Sequence, residues 1–220
     1  MKIVCVGYRK WALEIYERLK IFYGTSHDIV ILDKDKYSET SLTQENPDMV
    51  LFYGWSWKIS PSIIEKYMCL MLHPSPLPKY RGGSPIQNQI INGETKSAVT
   101  IIEMTDKLDA GDILAQESIS LDGNIKEILK RLTRVGTRLT KRIISGNTTR
   151  RKQNENEATF YNRRKEEDNE ITVNEILSQD SQYLHNKIRM LGDPYPYAYI
   201  KTVDGKKLLI KDASIEVSDD

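Results

Sequence analysis

Apolar residues along the chain fall into short unbroken runs separated by stretches with helical spacing. Ile3–Val6 is a β-branched run, and Trp11, Ile15, Leu19 and Phe22 follow it at the spacing of one helix face. Asp28–Leu32, Met49–Tyr53 and Cys69–Leu72 repeat the strand signal, with Ile63–Met68 reading as a short helix before the last. These strand-like runs are almost continuously apolar, as strands covered on both faces should be. Short buried strands alternating with helices predict an α/β fold, a doubly wound, Rossmann-like, mostly parallel sheet. Such sheets bind ligands beyond the carboxyl ends of their strands, at a topological switch point. Tyr53–Ser60 and His73–Ser84 both leave predicted strands toward that crevice.

Val99–Met104 and Ile113–Ile119 extend the strand count, and Ile125–Ile144 reads as a long amphipathic helix. A polar, mixed-charge stretch follows, so residues 1–146 are expected to form the main domain and 147–170 a linker. Residues 171–220 are expected to form a small appendage of one helix, Ser181–Met190, and a β-hairpin. In that hairpin Tyr199–Thr202 and Leu208–Lys211 flank the turn sequence Val203-Asp204-Gly205-Lys206.

Composition narrows the class. A net charge of +1 over 220 residues argues against nucleic acid as the main partner, because phosphate binding favours a basic domain. The cysteines, Cys5 and Cys69, sit in apolar runs without metal-ligand spacing and read as buried thiols, so neither a disulfide framework nor a metal site is implied. No run approaches the roughly 18 apolar residues of a membrane span. The first residues lack a signal-peptide cleavage pattern, so a cytoplasmic location is expected.

Of the three histidines, His27 and His185 read as surface or structural residues. His73 differs: it ends an apolar strand and precedes Pro74-Ser75-Pro76-Leu77-Pro78, whose prolines stiffen the exit. Lys79-Tyr80-Arg81-Gly82-Gly83-Ser84 then places cations, a phenol and permissive glycines beside it, a mixture suited to a diphosphate or carboxylate and equally to a charged surface turn. The acidic loop Thr105–Asp112 could bring a carboxylate to the imidazole.

The sequence His73-Pro74-Ser75-x-Leu77-Pro78, followed by Arg81-Gly82, Pro85, Val99-Thr100 and Leu108-Asp109-x-Gly111, resembles the signature of the folate-dependent formyltransferases. Tyr161–Lys165 with Asp168, and Ile188-Arg189 with Asp193–Pro196, resemble the C-terminal part of the sugar-nucleotide N-formyltransferases. The resemblance implies formyl transfer from N10-formyltetrahydrofolate to the amine of a nucleotide-linked amino sugar, with a UDP-linked 4-amino-4,6-dideoxyhexose of the pseudaminic acid type as the best match. It implies His73 and Asp109 as catalytic residues. Trp57, Lys58 and Ile59, with Thr105, Asp106, Lys107 and Leu108, would hold the folate. Tyr8, Arg9, Ser75, Lys79, Tyr80, Arg81, Gly82, Gly83 and Ser84 would contact the sugar nucleotide. The alternative is that Trp55 and Trp57 are core aromatics, a reading that holds equally well for one of the two. Relatives of this kind are often dimers, and the hairpin is the expected contact.

One position departs from the family pattern. An asparagine is expected two residues before His73, and Met71 stands there. A thioether cannot donate a hydrogen bond to an oxyanion. Another donor, Asn88, Gln87 or Ser75, could substitute; His73 alone could suffice; or the chain could be a binding module without catalysis. Methionyl-tRNA formyltransferase is the rival of the same chemistry, counted against here by the near-neutral charge and the short stretch after the linker. Glycinamide ribonucleotide formyltransferase fits less well, because Gly7-Tyr8-Arg9-Lys10 replaces its glycine- and serine-rich phosphate loop.

Overall fold

The computed structural model describes residues 1–216. Six strands form the main sheet: β1 (Lys2–Val6), β2 (Asp28–Leu32), β3 (Met49–Tyr53), β4 (Met68–His73), β6 (Lys96–Glu103) and β7 (Ile113–Ser120). Their order across the sheet is β2-β1-β3-β4-β6-β7. The first four strands are parallel, whereas β6 runs antiparallel to β4 and β7 antiparallel to β6. The expected mostly parallel α/β sheet is therefore present, with an antiparallel pair at one edge.

Both faces are covered, which explains the unbroken apolar runs. Ile3 and Cys5 of β1 face one core with α1 (Lys10–Tyr23) and α5 (Ile125–Ile144), while Val4 and Val6 face a second core with α2 (Glu39–Glu45) and α3 (Pro61–Lys66). Burial raises the thiol pKa of both Cys5 and Cys69, Cys69 to about 12, and keeps the two protonated. Phe22, expected on the buried stripe of α1, is instead 61% exposed. The spacing carries Trp11, Ile15 and Leu19 onto the sheet, and the last turn runs past it. The helix expected over Ile63–Met68 starts earlier, because Pro61 suits a first helical turn, and Met68 already belongs to β4.

Tyr16 bridges the carboxyl ends of β1 and β3. Its hydroxyl lies 2.9 Å from both Val6 O and Leu51 O and accepts from Tyr53 N at 2.7 Å. The loops leaving β1 and β3 therefore start from a rim tied together by one hydroxyl.

The polar stretch after α5 does not hang free. Arg151 bridges to Ile113 through two backbone hydrogen bonds, at 2.8 and 2.9 Å. The short strands β5 (Arg81–Gly82) and β8 (Phe160–Tyr161) then pair in parallel. The C-terminal part holds α6 (Val173–Ser178), α7 (Ser181–Arg189) and the expected hairpin, β9 (Ala198–Lys201) with β10 (Lys207–Ile210). The remaining helix, α4 (Pro85–Ile91), follows β5. Among the described residues no helix is long and apolar enough to cross a membrane.

Candidate active site

A cavity of about 950 Å³ opens at the carboxyl ends of β1, β3 and β4. His73, the last residue of β4, lines it and is 5% exposed. Its Nε2 lies 2.8 Å from the carbonyl oxygen of Tyr80. A carbonyl only accepts, so Nε2 carries the proton and the neutral ring keeps its free lone pair on Nδ1. That nitrogen faces Asp109 Oδ2 at 3.6 Å, too long for a hydrogen bond but within ion-pair distance once the ring is protonated.

Asp109 is also buried and is held from several sides. Its Oδ2 accepts the Gly82 N–H at 2.7 Å, and its backbone sits in the left-handed region at φ 52°. Tyr80, at φ 61°, and Ser84, at φ 48°, share that conformation, so three of the four such non-glycine residues among the described ones lie at the His73–Asp109 pair or on the cavity wall. Unfavourable backbone of this kind persists where neighbours over-determine it, and it clusters at functional sites.

The cavity brings together many of the residues singled out from the sequence: Arg9, Trp57, Lys58, Ile59, Thr105–Asp109, His73 and Gly82–Ser84. Tyr8 lies just behind the wall, tilted against Trp57 with centroids 5.1 Å apart and hydrogen-bonded to Ser56 at 2.6 Å. Four of the expected contact residues do not line the cavity. Arg81 is 1% exposed, and its guanidinium turns away to bind Glu155 and Gln153. Ser75 Oγ donates to Lys79 O at 2.7 Å and is fully buried, and exposed Lys79 does not line the cavity. Tyr80 stacks on Tyr161 with centroids 4.7 Å apart, its hydroxyl bound to Glu94.

The glycine pair serves close approach rather than anion binding. Gly82 N donates to Asp109 and Gly83 N to Tyr161 O, so neither N–H is free. A Cβ on Gly82 would sit 2.3 Å from Tyr161 O, and one on Gly83 would sit 2.4 Å from the Arg163 backbone.

Two cavity walls lie outside the residues expected at the site: Tyr161–Glu166, and Leu191 with Pro194–Pro196. Their only sequence signal is the resemblance of both segments to the sugar-nucleotide enzymes. They bring Arg163, Arg164 and Lys165 to join Arg9, Lys58 and Lys107, six cations against Asp106, Asp109 and Glu166. Tyr195 sits among them, its hydroxyl pKa raised by burial, with Arg9, Gln87 and Arg163 opposing that effect. The two other histidines lie outside the cavity.

Met71 lines the cavity beside Leu77, Ile102 and Ile113, with no donor to offer. Of the three alternative donors, Asn88 Nδ2 is committed to Gly83 O and Asn162 O, and Ser75 to Lys79 O. Gln87 is different: it lines the cavity and is 5% exposed. Its Nε2 has no partner within hydrogen-bond distance among the described residues, although it is near enough to the Tyr195 hydroxyl to act on that group's pKa. Trp55 Nε1 and Arg164 Nε are further unpaired donors of the cavity wall among the described residues.

Fold and site together define an α/β protein with a buried His–Asp pair in a cationic cleft at the carboxyl ends of parallel strands. The chain belongs to the formyl transferase family, whose profile matches residues 32–145. It is 33% identical to methionyl-tRNA formyltransferase from Bacillus licheniformis over 183 residues, covering 78% of this chain and 56% of that protein. The chain thus spans about half the length of the curated relatives it matches. Among solved structures it resembles methionyl-tRNA formyltransferase from Clostridium thermocellum (TM-score 0.84, 29% identity, 96% of this chain and 97% of that one). It shares its fold with HypX from Aquifex aeolicus bound to tetrahydrofolic acid (0.77, 22%, 95% and 37%). A sugar N-formyltransferase from a Shewanella species has the same fold (0.77, 17%, 99% and 99%).

Proposed function

We propose that this protein transfers a formyl group from N10-formyltetrahydrofolate to a primary amine, and the His73–Asp109 pair carries the reading. The amine nitrogen attacks the formyl carbon, forming a C–N bond and placing negative charge on the formyl oxygen. Collapse breaks the bond to N10 of the folate, which takes up a proton. The attacking nitrogen must lose one proton, and His73 Nδ1 is the available base because Nε2–H is held by Tyr80 O. Asp109, 3.6 Å away, stabilises the imidazolium that results. Gln87 Nε2, buried and unpaired, is the best-placed replacement among the candidates for the donor that Met71 does not supply. The folate would lie between Trp57–Ile59 and Thr105–Leu108, and Arg9 with Gly82–Ser84 would face the acceptor.

For the acceptor, a nucleotide-linked amino sugar is the first reading. The segments resembling sugar-nucleotide enzymes are those that line the cleft, and the excess of cations suits a diphosphate. Met-tRNA is the second reading, favoured by 33% identity to a methionyl-tRNA formyltransferase. Homodimerisation through the hairpin belongs to the first reading, supported by exposed Leu208 and Leu209. The test is formylation of UDP-, dTDP- and GDP-linked amino sugars beside Met-tRNA under one set of conditions. Turnover of a sugar nucleotide alone supports the first reading, turnover of Met-tRNA alone replaces it with the second, and no transfer to any amine refutes both.

A further inference from the structure

Asp109 faces His73 from a left-handed backbone conformation, uncommon outside glycine, that contacts from outside its own loop help to hold. The side chain of Gln153, from the polar stretch after α5, does this. Its Nε2 donates to Asp109 O and to Gly111 O, both at 2.8 Å, one hydrogen for each carbonyl. Its Oε1 accepts from Arg81 Nη2 at 2.8 Å and Nε at 3.2 Å. Arg81 in turn grips Glu155 with Nη1 at 2.9 Å and Nη2 at 2.7 Å. The amide orientation is dictated by its neighbours, because a flipped Gln153 would set an oxygen against two carbonyls and an NH2 against a guanidinium.

We propose that Gln153 is a positioning residue for formyl transfer, holding the Asp109 turn so that its carboxylate faces His73. The inference rests on the reading of Asp109 as the partner of His73 in that reaction. Three features make this more than a linker contact. Gln153 touches the backbone of the acidic residue itself, at the left-handed position of the turn. The far side of the same turn packs directly against β6, since a Cβ on Gly111 would lie 1.6 Å from Glu103 O, so the loop sits between β6 and Gln153. Arg81, in the short strand that ends the His73 loop, closes the circuit, and the next residue, Gly82, donates its N–H to the Asp109 carboxylate at 2.7 Å. Both sides of the His–Asp pair therefore converge on one amide side chain.

Gln153→Ala and Gln153→Glu test this together. Glutamate keeps an acceptor for Arg81 but has no donor for the two carbonyls, so it separates anchoring of the linker from holding of the turn. Both variants are expected to lower kcat about tenfold to a hundredfold, the cost of a misplaced group near the reacting atoms, with KM for N10-formyltetrahydrofolate within about twofold. Amide hydrogen exchange gives the second readout: Gly82 N–H should exchange at least tenfold faster in both variants, while the core amide of Tyr53 keeps its rate. A kcat at the wild-type level in Gln153→Glu, or equal acceleration at Gly82 and Tyr53, overturns the proposal. If the wild-type protein formylates no amine, the function reading fails instead, and the Gly82 exchange rate still decides whether Gln153 holds the turn.

Discussion

Asp109→Asn isolates the charge of the His–Asp pair. Asparagine has nearly the same shape, still accepts the Gly82 N–H through Oδ1, and tolerates the left-handed backbone that Asp109 adopts. What changes is the interaction with the imidazolium at 3.6 Å. With an effective dielectric of about 20, two unit charges at that separation attract by about 4–5 kcal/mol. Residual solvent and the dipole of the asparagine reduce the loss, so kcat is expected to fall by about 10²–10³, at roughly 1.4 kcal/mol per tenfold. KM for the folate should hold within a factor of about two, because the charge is needed only as the proton is taken up. The assay is release of tetrahydrofolate at saturating acceptor, with thermal melting to establish that the variant is folded. A folded Asp109→Asn protein with a kcat within threefold of wild type would refute the role given to the carboxylate.

Gln87→Leu should lower kcat by about 10²-fold if its amide replaces the missing oxyanion donor, and adding Met71→Asn in the same chain should recover part of that loss. Gly111→Ala places a methyl group 1.6 Å from Glu103 O and should cost about 3 kcal/mol or more in urea unfolding. Glu175 lies beside the buried Lys187 ammonium; burial pushes its carboxyl pKa up, and the Lys187 and Thr172 hydrogen bonds more than reverse this, leaving it below the ordinary 4.5. A lowered folded value stabilises the protein above the unfolded one and is lost as pH falls through the folded one. Glu175→Gln should thus cost about 2 kcal/mol at pH 7, with the difference from wild type shrinking below about pH 4 in denaturant melts.

The sheet is legible in the sequence because β1, β3 and β4 are buried on both faces, and an unbroken apolar run such as Met49–Tyr53 fits little besides a central strand. The antiparallel direction of β6 leaves no comparable trace, since its side chains are buried on both faces like those of a parallel strand. Helix α4 is not legible at all, its seven residues being too few to show a periodic pattern after Pro85. At the site, His73 and Asp109 are marked by motif and do meet across the cleft. The loop between them misleads, because residue type does not tell which way a side chain turns. Arg81 has the chemistry of an anion ligand but is spent on Gln153 and Glu155, 72 and 74 positions away. The same long-range docking brings Arg163 and Tyr195 into the cavity wall, which the sequence signals only through the family resemblance of their segments.

The most direct test is a single-turnover reaction with N10-formyltetrahydrofolate labelled with 13C in the formyl group. Wild-type protein and His73→Ala would be compared with whichever amine the acceptor panel identifies, and the product weighed by mass spectrometry. The expected result is a 13C-formylated amine and tetrahydrofolate in equal amounts with wild-type protein, and a rate reduced at least 10²-fold for His73→Ala. Equal rates for the two proteins, or no labelled amine from either, would contradict a formyl transfer centred on His73.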